Sequence, residues 1–177
     1  QSNKLYNKGI MPVEIERKFL VKGEFKQLSY KQEQITQAYL STDPERSVRI
    51  RRKGEKAFLT FKGKSYNSGK SRFEWEREIT CPDAEQLFVL CIPGTFIDKT
   101  RYFIQWNKHI IEVDESHGEN EGLILAEVEL SDENENFDIP EWFGMEVTGD
   151  IRYYNSQLAQ YPYSKWKDHD RDQGKNT

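Results

Sequence analysis

Apolar and polar side chains alternate along most of the chain, and this alternation is typical of β-strands with one buried and one polar face. The segment VEIERKFLV at 13–21 places Val13 and Ile15 on one face, and two glutamates and a lysine on the other. The pattern recurs in about eight segments of strand length. We predict strands at 13–21, 34–41, 46–53, 56–63, 71–80, 96–106, 109–115 and 122–130.

Few segments are predicted as helices. Pro82 precedes a helical segment at 83–91, and Asp150 is placed to cap a second helix at 151–160. Turn-forming sequences of hairpin length, such as TDPE at 42–45, separate the strands. This order predicts a mostly β fold of the α+β type, with an antiparallel sheet instead of repeating βαβ units.

The size of the chain suits one domain with a substantial core, at 177 residues and 21.0 kDa. We expect that domain to span 11–162. Residues 1–10 precede a methionine and are interpreted as an upstream or expression-derived segment. Residues 163–177 are nearly free of aliphatic side chains and are predicted to form a polar, flexible tail.

The overall charge narrows the class of partner. A net charge of -4 and a pI near 5.5 give no general attraction to nucleic acid or anionic lipid, so we expect neither as a partner. No run of about 18 apolar residues is present, so we expect no membrane span and a cytoplasmic protein. The two cysteines, Cys81 and Cys91, form no CxxC motif and are expected to be reduced. A monomer and a homodimer both remain open.

One face of nearly every predicted strand carries charged side chains. The acidic positions are Glu14, Glu16, Glu74, Glu76, Glu78, Glu112, Asp114, Glu127 and Glu129. The basic positions are Lys18, Arg49, Arg51, Lys62, Lys99 and Arg101. An antiparallel sheet with one solvated face gives the same alternation. Like charges at positions i and i+2 nevertheless repel one another unless a ligand supplies the opposite charge.

The residue types of this face match one kind of ligand. Grouped carboxylates are the oxygen ligands that Mg²⁺ and Mn²⁺ prefer, and arginine and lysine are the donors that phosphate oxygens prefer. Both sets on one concave surface indicate a metal-chelated polyphosphate. A closed barrel of about eight strands would provide such a surface, but periodicity does not distinguish the inside of a sheet from its outside.

An ordered series of motifs resembles a known family. EIERKF at 14–19 contains the ExExK signature of the CYTH, or triphosphate tunnel metalloenzyme, superfamily. The similarity continues through VRIRRKG, LTFKG, FEWEREI, DKTRY, IEVDE, LAEVEL and WFGMEVTGDIRYYN, and covers residues 12–160. The resemblance implies a closed antiparallel eight-stranded tunnel barrel with a charged interior and a few flanking helices. It also implies a small member that consists of the CYTH domain alone.

The resemblance assigns roles to individual residues. Carboxylates that it implies as metal ligands for Mg²⁺ or Mn²⁺ are Glu14, Glu16, Glu127 and Glu129. Side chains that it implies as substrate-binding are Lys18, Arg49, Arg51, Lys62, Lys99, Arg101 and Arg152. Glu14, Glu16 and Lys18 are the expected catalytic group. Further acidic tunnel residues, which bind metal, orient basic groups or place water, are Glu74, Glu76, Glu112 and Asp114.

The resemblance implies an enzyme, a metal-dependent triphosphatase that hydrolyses a phosphoanhydride bond. Inorganic tripolyphosphate, cleaved to pyrophosphate and orthophosphate, is the expected substrate, because no addition that would recognise a base or a thiazolium ring is identified. The family also admits thiamine-triphosphatase, nucleoside-triphosphatase and class IV adenylyl cyclase activities. A module that binds polyphosphate without turnover is the alternative of a different class.

Overall fold

The protein, seen here in a computed structural model that describes residues 12–167, is built around a closed antiparallel β-barrel. Its strands are β1 (Val13–Val21), β2 (Lys31–Ser41), β3 (Arg46–Lys53), β4 (Lys56–Tyr66), β5 (Ser71–Ile79), β6 (Ile97–Trp106), β7 (His109–Ser116), β8 (Ile124–Glu129) and β9 (Phe143–Glu146). Two α-helices, α1 (Cys81–Phe88) and α2 (Asn155–Gln160), lie outside it. Short 3₁₀ helices occupy Lys26–Leu28, Gly118–Asn120, Ile151–Tyr153 and Tyr163–Lys165.

The strand order closes the sheet on itself. The order is β5-β4-β3-β2-β6-β7-β8-β1-β9, and β5 also pairs with β1. Strand β1 makes this closure by changing partner along its length. Val13 to Ile15 pair with β5, whereas Glu16 to Leu20 pair with β8. Eight strands therefore form the barrel, as the sequence predicted, and β9 adds a ninth strand on the far part of β1.

Apolar side chains cover the outside of the barrel and pack under its helices and loops. One cluster places Phe19 against Phe143, with ring centroids 4.7 Å apart, and includes Val128. A second cluster packs Tyr153 and Trp166 edge to face, with ring centroids 5.1 Å apart. A third lies under α1. Burying a side chain such as Phe19, which is 1% exposed, stabilises the fold by about 1.5–3 kcal/mol. This packing leaves the charged faces of the strands to the barrel interior.

The helices differ in detail from the prediction. Helix α1 begins at Cys81 because the Thr80 hydroxyl accepts a hydrogen bond from the Asp83 amide and caps it. The predicted second helix is divided: Ile151–Tyr153 forms a 3₁₀ turn whose Arg152 amide donates to Asp150, and α2 follows. Within residues 12–167, none of the helices has the length and apolar composition needed to span a membrane.

Part of the segment that the sequence assigned to a flexible tail is packed. Tyr163–Lys165 forms a 3₁₀ helix, and Trp166 is 5% exposed against Tyr153 and Tyr163. The packed region therefore extends through Trp166. Residues 168–177 of the predicted tail, and the predicted upstream segment at 1–10, lie outside the described residues.

Candidate active site

A cavity of about 820 Å³ lies inside the barrel, and its wall is mostly charged. Both Ser47 and Lys53 line it, and these residues stand six positions apart on β3. At about 3.3 Å per residue the cavity extends roughly 20 Å along this strand. Arg49 and Arg51 lie between them on the same face, because every second side chain of a strand points to the same side.

Most of the residues singled out by the sequence meet in this cavity. Those that line it are Glu14, Glu16, Lys18, Arg49, Arg51, Lys62, Glu74, Glu76, Arg101, Glu112, Glu127 and Glu129. Lys99, Asp114 and Arg152 are not among its lining residues. The twelve that line it come from seven of the eight barrel strands, so the closure of the barrel is what brings them together.

Carboxylates crowd the part of the wall formed by β1 and its neighbours. Glu16 of β1 is the register partner of Glu129 of β8, and Lys18 is the partner of Glu127. Burial, and then the neighbouring carboxylate Glu16, raises the pKa of Glu14 well above its usual value. Burial, and then Glu127, likewise raises the pKa of Glu16. The protein therefore holds negative charge here at a cost that a bound cation would relieve.

Two lysines partly neutralise these carboxylates. Lys62 Nζ lies 2.8 Å from Glu14 Oε2 and 3.2 Å from Glu74 Oε2. Although burial opposes it, these carboxylates raise the pKa of Lys62. Lys18 Nζ lies 3.3 Å from Glu127 Oε1, and despite burial it lowers the pKa of Glu127 to about 2. Both lysines are therefore held as cations.

Two arginines of β3 face the carboxylates from across the cavity. Nη2 of Arg49 and of Arg51 lies 3.7 Å and 3.6 Å from Glu76 Oε2, and Thr60 donates a hydrogen bond of 2.6 Å to the same oxygen. Burial, and then Arg49, lowers the pKa of Arg51 to about 10. The Nε groups of both arginines are buried without a hydrogen-bond partner among the described residues. A buried donor without a partner is costly, so this wall is suited to an anionic guest.

A second ion cluster lies deeper in the wall. Asp114 accepts from Lys99 Nζ at 2.6 Å and from Arg101 Nε and Nη2 at 2.7 and 2.8 Å, and Arg101 also pairs with Glu112. Lys99 is 1% exposed, and burial lowers its pKa to about 8 in spite of Asp114. The fork of Arg101 reaches the cavity, whereas Lys99 contacts the carboxylate behind it.

Arg152 lies at the surface and does not line the cavity. Its Nη2 is 2.6 Å from Asp150 Oδ2, and its guanidinium lies over the rings of Tyr153 and Trp166 at 5.6 Å and 5.5 Å. This arrangement holds the segment after β9 in place. Tyr153 in turn presents its carbonyl oxygen to Lys18 Nζ at 3.5 Å.

Several cavity residues were not predicted from the sequence. Arg72 lies two positions before Glu74 on β5, and continuing the charged face by one step would have identified it. Tyr154 lies between elements, where no periodic pattern marks it. His109 lines the cavity, and its Nε2 is 3.1 Å from Glu135 Oε1.

The carboxylates of β1 and β8 are chemically suited to bind a divalent cation. Among residues 12–167, no three histidine, cysteine or acidic side chains already converge as a ready metal group. Four glutamates on the neighbouring strands β1 and β8 nevertheless offer oxygen ligands, which suit Mg²⁺ and Mn²⁺, and two of them oppose one another directly.

Comparisons with known proteins identify relatives of this chain. The model of the CYTH domain family matches residues 12–160. An inorganic triphosphatase from Acetivibrio thermocellus is 44% identical over 158 residues, which cover 89% of this chain and 100% of the relative. An inorganic triphosphatase from Nitrosomonas europaea is 37% identical over 150 residues, covering 82% of this chain and 96% of that one. A crystal structure of an inorganic triphosphatase superposes with a TM-score of 0.60 at 34% identity, over 82% of this chain and 93% of that chain.

Proposed function

This chain belongs to the CYTH domain family, and on that premise we propose that it is a divalent-metal-dependent hydrolase of inorganic triphosphate. One observation carries the proposal: two arginines, whose buried Nε donors have no hydrogen-bond partner within residues 12–167, face a crowded set of carboxylates inside one cavity. A triphosphate chelated to a divalent cation has the complementary charges. The inorganic triphosphatases similar over nearly the whole chain support this substrate.

The basic residues would bind and orient the chain of phosphates. Arg49, Arg51 and Arg101 offer planar forks that suit phosphate oxygens, and Lys18 and Lys62 offer single charges beside them. Their carboxylate partners keep them in place before the substrate arrives. Positioning and charge stabilisation account for most of the catalysis in phosphoryl transfer.

The metal would lie on the acidic side of the cavity. Glu14, Glu16, Glu127 and Glu129 would hold it, and when bound it would neutralise phosphoryl oxygens and lower the pKa of a bound water. Water would add to a terminal phosphorus as the bridging P–O bond breaks, the leaving pyrophosphate would take that bond's electrons, and the proton that the water loses would pass to solvent. Lys18 lies beside Glu127 in the acidic part of the wall and would stabilise the phosphoryl oxygens as charge develops. Either Mg²⁺ or Mn²⁺ suits oxygen ligands of this kind.

The remaining acidic residues would orient basic groups. Glu74 and Glu76 contact Lys62 and the β3 arginines, and Glu112 and Asp114 contact Arg101. We propose that Lys99 acts through Asp114 and not by touching the substrate. Arg152 would act in the same indirect way, by holding the segment whose backbone faces Lys18.

Orthophosphate release tests the function. Inorganic triphosphate, thiamine triphosphate and ATP are compared with Mg²⁺, with Mn²⁺ and with EDTA, for the parent chain and for Glu14→Gln/Glu16→Gln. We expect metal-dependent release that favours inorganic triphosphate and falls at least about 100-fold in the double variant. Preferred turnover of thiamine triphosphate or ATP would show that the proposed substrate is wrong. Formation of cyclic AMP would show that the proposed reaction is wrong as well. Binding of triphosphate without any turnover would contradict the hydrolase proposal and indicate a binding module.

A further inference from the structure

Arg72 is a cavity cation that none of the roles above uses. It lies on β5 on the same face as Glu74, and its register partners are Glu14 on β1 and Ser65 on β4. Lys70, just before the strand, also lines the cavity. Both lie near the Ser47 end, because the guanidinium of Arg72 reaches the turn that precedes β3.

The guanidinium of Arg72 is held by the backbone. Its Nε donates to the carbonyl of Gly63 at 3.0 Å, and its Nη2 donates to the carbonyl of Pro44 at 3.0 Å. Gly63 lies where the pairing of β4 with β5 is interrupted, between Lys62 and Ser65. Such irregularities are common next to functional sites, where they redirect a group of the chain.

An aromatic ring, that of Tyr154, lies beside the guanidinium of Arg72. The Cζ of Arg72 lies 5.0 Å from the centre of the Tyr154 ring, and Lys18 Nζ lies 5.5 Å from the same centre. The Tyr154 hydroxyl donates to Ser65 Oγ at 2.9 Å, which fixes the ring. A cation over an aromatic face is stabilised without being neutralised, so Arg72 keeps its charge available.

Arg72 differs from the other cavity cations in its charge balance. Lys18, Lys31, Arg49, Arg51, Lys53, Lys62, Arg101 and Lys108 each have a carboxylate oxygen within 4.0 Å. Within the described part of the chain, no carboxylate lies within that distance of Arg72 or Lys70. Lys70 instead donates to the carbonyl of Glu133 at 3.3 Å. An anion entering the cavity would therefore displace no ion pair at Arg72.

Arg72 lies close to Lys62, one of the basic residues of the cavity. Ser47 of β3 pairs with Lys62 of β4, which pairs with Glu74 of β5, and Arg72 lies one step further along β5. We propose that Arg72, assisted by Lys70, is a terminal anion subsite that binds the phosphoryl group at one end of the triphosphate. This inference rests on the proposed function, since that function supplies the anion. The subsite sets how far the triphosphate enters the cavity.

The test measures binding apart from turnover. Tripolyphosphate, pyrophosphate and orthophosphate are titrated by calorimetry into the whole chain in EDTA, where the proposed hydrolysis does not proceed. Arg72→Gln removes the charge, and Arg72→Lys keeps the charge but removes the fork. Arg77→Gln is the matched control, because Arg77 lies on the exposed face of the same strand, with its Cζ 4.6 Å from the centre of the Trp75 ring.

We expect Arg72→Gln to weaken tripolyphosphate binding by about tenfold to a hundredfold, and pyrophosphate binding by less. Arg72→Lys should fall between, and Arg77→Gln should match the parent chain. Unchanged tripolyphosphate binding in Arg72→Gln would overturn the subsite. An equal loss for all three anions, together with a lower melting temperature, would also overturn it, because that result indicates a structural role.

The same titrations separate this inference from the function on which it rests. If the parent chain binds tripolyphosphate through Arg72 but hydrolyses it with neither metal, the subsite stands and the hydrolase proposal fails. If Arg72→Gln hydrolyses and binds like the parent chain, the hydrolase proposal stands and the subsite fails. If the parent chain binds no tripolyphosphate in EDTA or with metal, both fail.

Discussion

Glu16 on β1 and Glu129 on β8 lie directly opposite one another in the barrel wall. Like charges at directly opposed positions of an antiparallel pair destabilise a sheet by about 0.2–1 kcal/mol. Burial, and then Glu127, two positions from Glu129, raise the pKa of Glu16, so Glu16 carries its charge at a cost in this part of the wall. A divalent cation bound by the proposed ligands would turn that repulsion into attraction, so the proposed metal site predicts a link between metal binding and stability.

This pair gives the first prediction. Glu16→Gln removes one of the opposed charges, so the melting temperature in EDTA should stay the same or rise by a few degrees. Addition of Mg²⁺ or Mn²⁺ should raise the melting temperature of the parent chain but not that of Glu16→Gln. Thermal melts with and without metal make the comparison. Glu78→Gln serves as a control, because Glu78 is exposed on β5. Equal metal stabilisation in Glu16→Gln would contradict the assigned ligand set.

Arg51 gives a second prediction, in which stability and activity change in opposite directions. Its pKa of about 10 lies below the ordinary arginine value, so burying its charged form beside Arg49 costs stability at every pH below about 10. Arg51→Met should therefore unfold at an equal or higher urea concentration at pH 7. Turnover of tripolyphosphate should fall by at least about 100-fold, because a phosphate donor is lost. A destabilised Arg51→Met would show that the arginine serves the fold instead.

The resemblance implied the closed barrel, and the strand pattern allowed its strands and their two faces to be predicted, because the apolar and charged faces differ so clearly. Its one exception on β1 shows where the pattern failed. Arg17 stands among apolar positions, and the structure places it against Glu146 of β9, with Nε and Oε1 2.8 Å apart. Strand β9 has four residues and no clear alternation, so periodicity did not predict it. Arg17, a charged residue on an apolar face, was the sequence feature that indicated strand β9.

Periodicity also could not distinguish depth within the wall. Lys99 and Arg101 share a face of β6, yet Arg101 reaches the cavity and Lys99 ends at Asp114. Alternation specifies on which side of the sheet a residue lies, not how far its side chain extends. Arg152 was assigned by the resemblance and not by alternation; it lies in a 3₁₀ helix, where Asp150, two residues away, binds its guanidinium at the surface.

Asp114 gives a third prediction, from its place between two buried cations. Asp114→Asn leaves Lys99 and Arg101 without that charge, and should destabilise the protein by roughly 3–5 kcal/mol. Lys99→Met keeps the two-point contact of Arg101 with Asp114, and should cost much less. Urea unfolding gives both values. Lys99→Met should also keep more activity than Arg101→Met, and equal losses would show that Lys99 contacts the substrate.

The fourth prediction concerns two glycines whose backbones touch. Gly69 ends the β4–β5 hairpin with a φ of +86°, and a Cβ placed on it would lie 2.1 Å from Gly149 Cα. Gly149 belongs to the segment after β9 that supports Lys18: Val147 donates its amide to the Lys18 carbonyl at 2.8 Å, and Thr148 Oγ1 accepts from the Lys18 amide at 2.9 Å. Displacing this segment therefore displaces Lys18, the lysine that we propose takes part in catalysis.

Gly94→Ala provides the matched control for this contact. Gly94 has a similar φ of +80°, but nothing lies within 4 Å of the position a Cβ would take. Both substitutions incur the strain of a positive φ, about 1–2 kcal/mol. Gly69→Ala adds the collision, so it should lower the urea midpoint further and also reduce turnover of tripolyphosphate, whereas Gly94→Ala should leave turnover unchanged. Equal effects of the two substitutions would mean that the hairpin and the segment after β9 move apart at no cost, and that Lys18 is held from β1 alone.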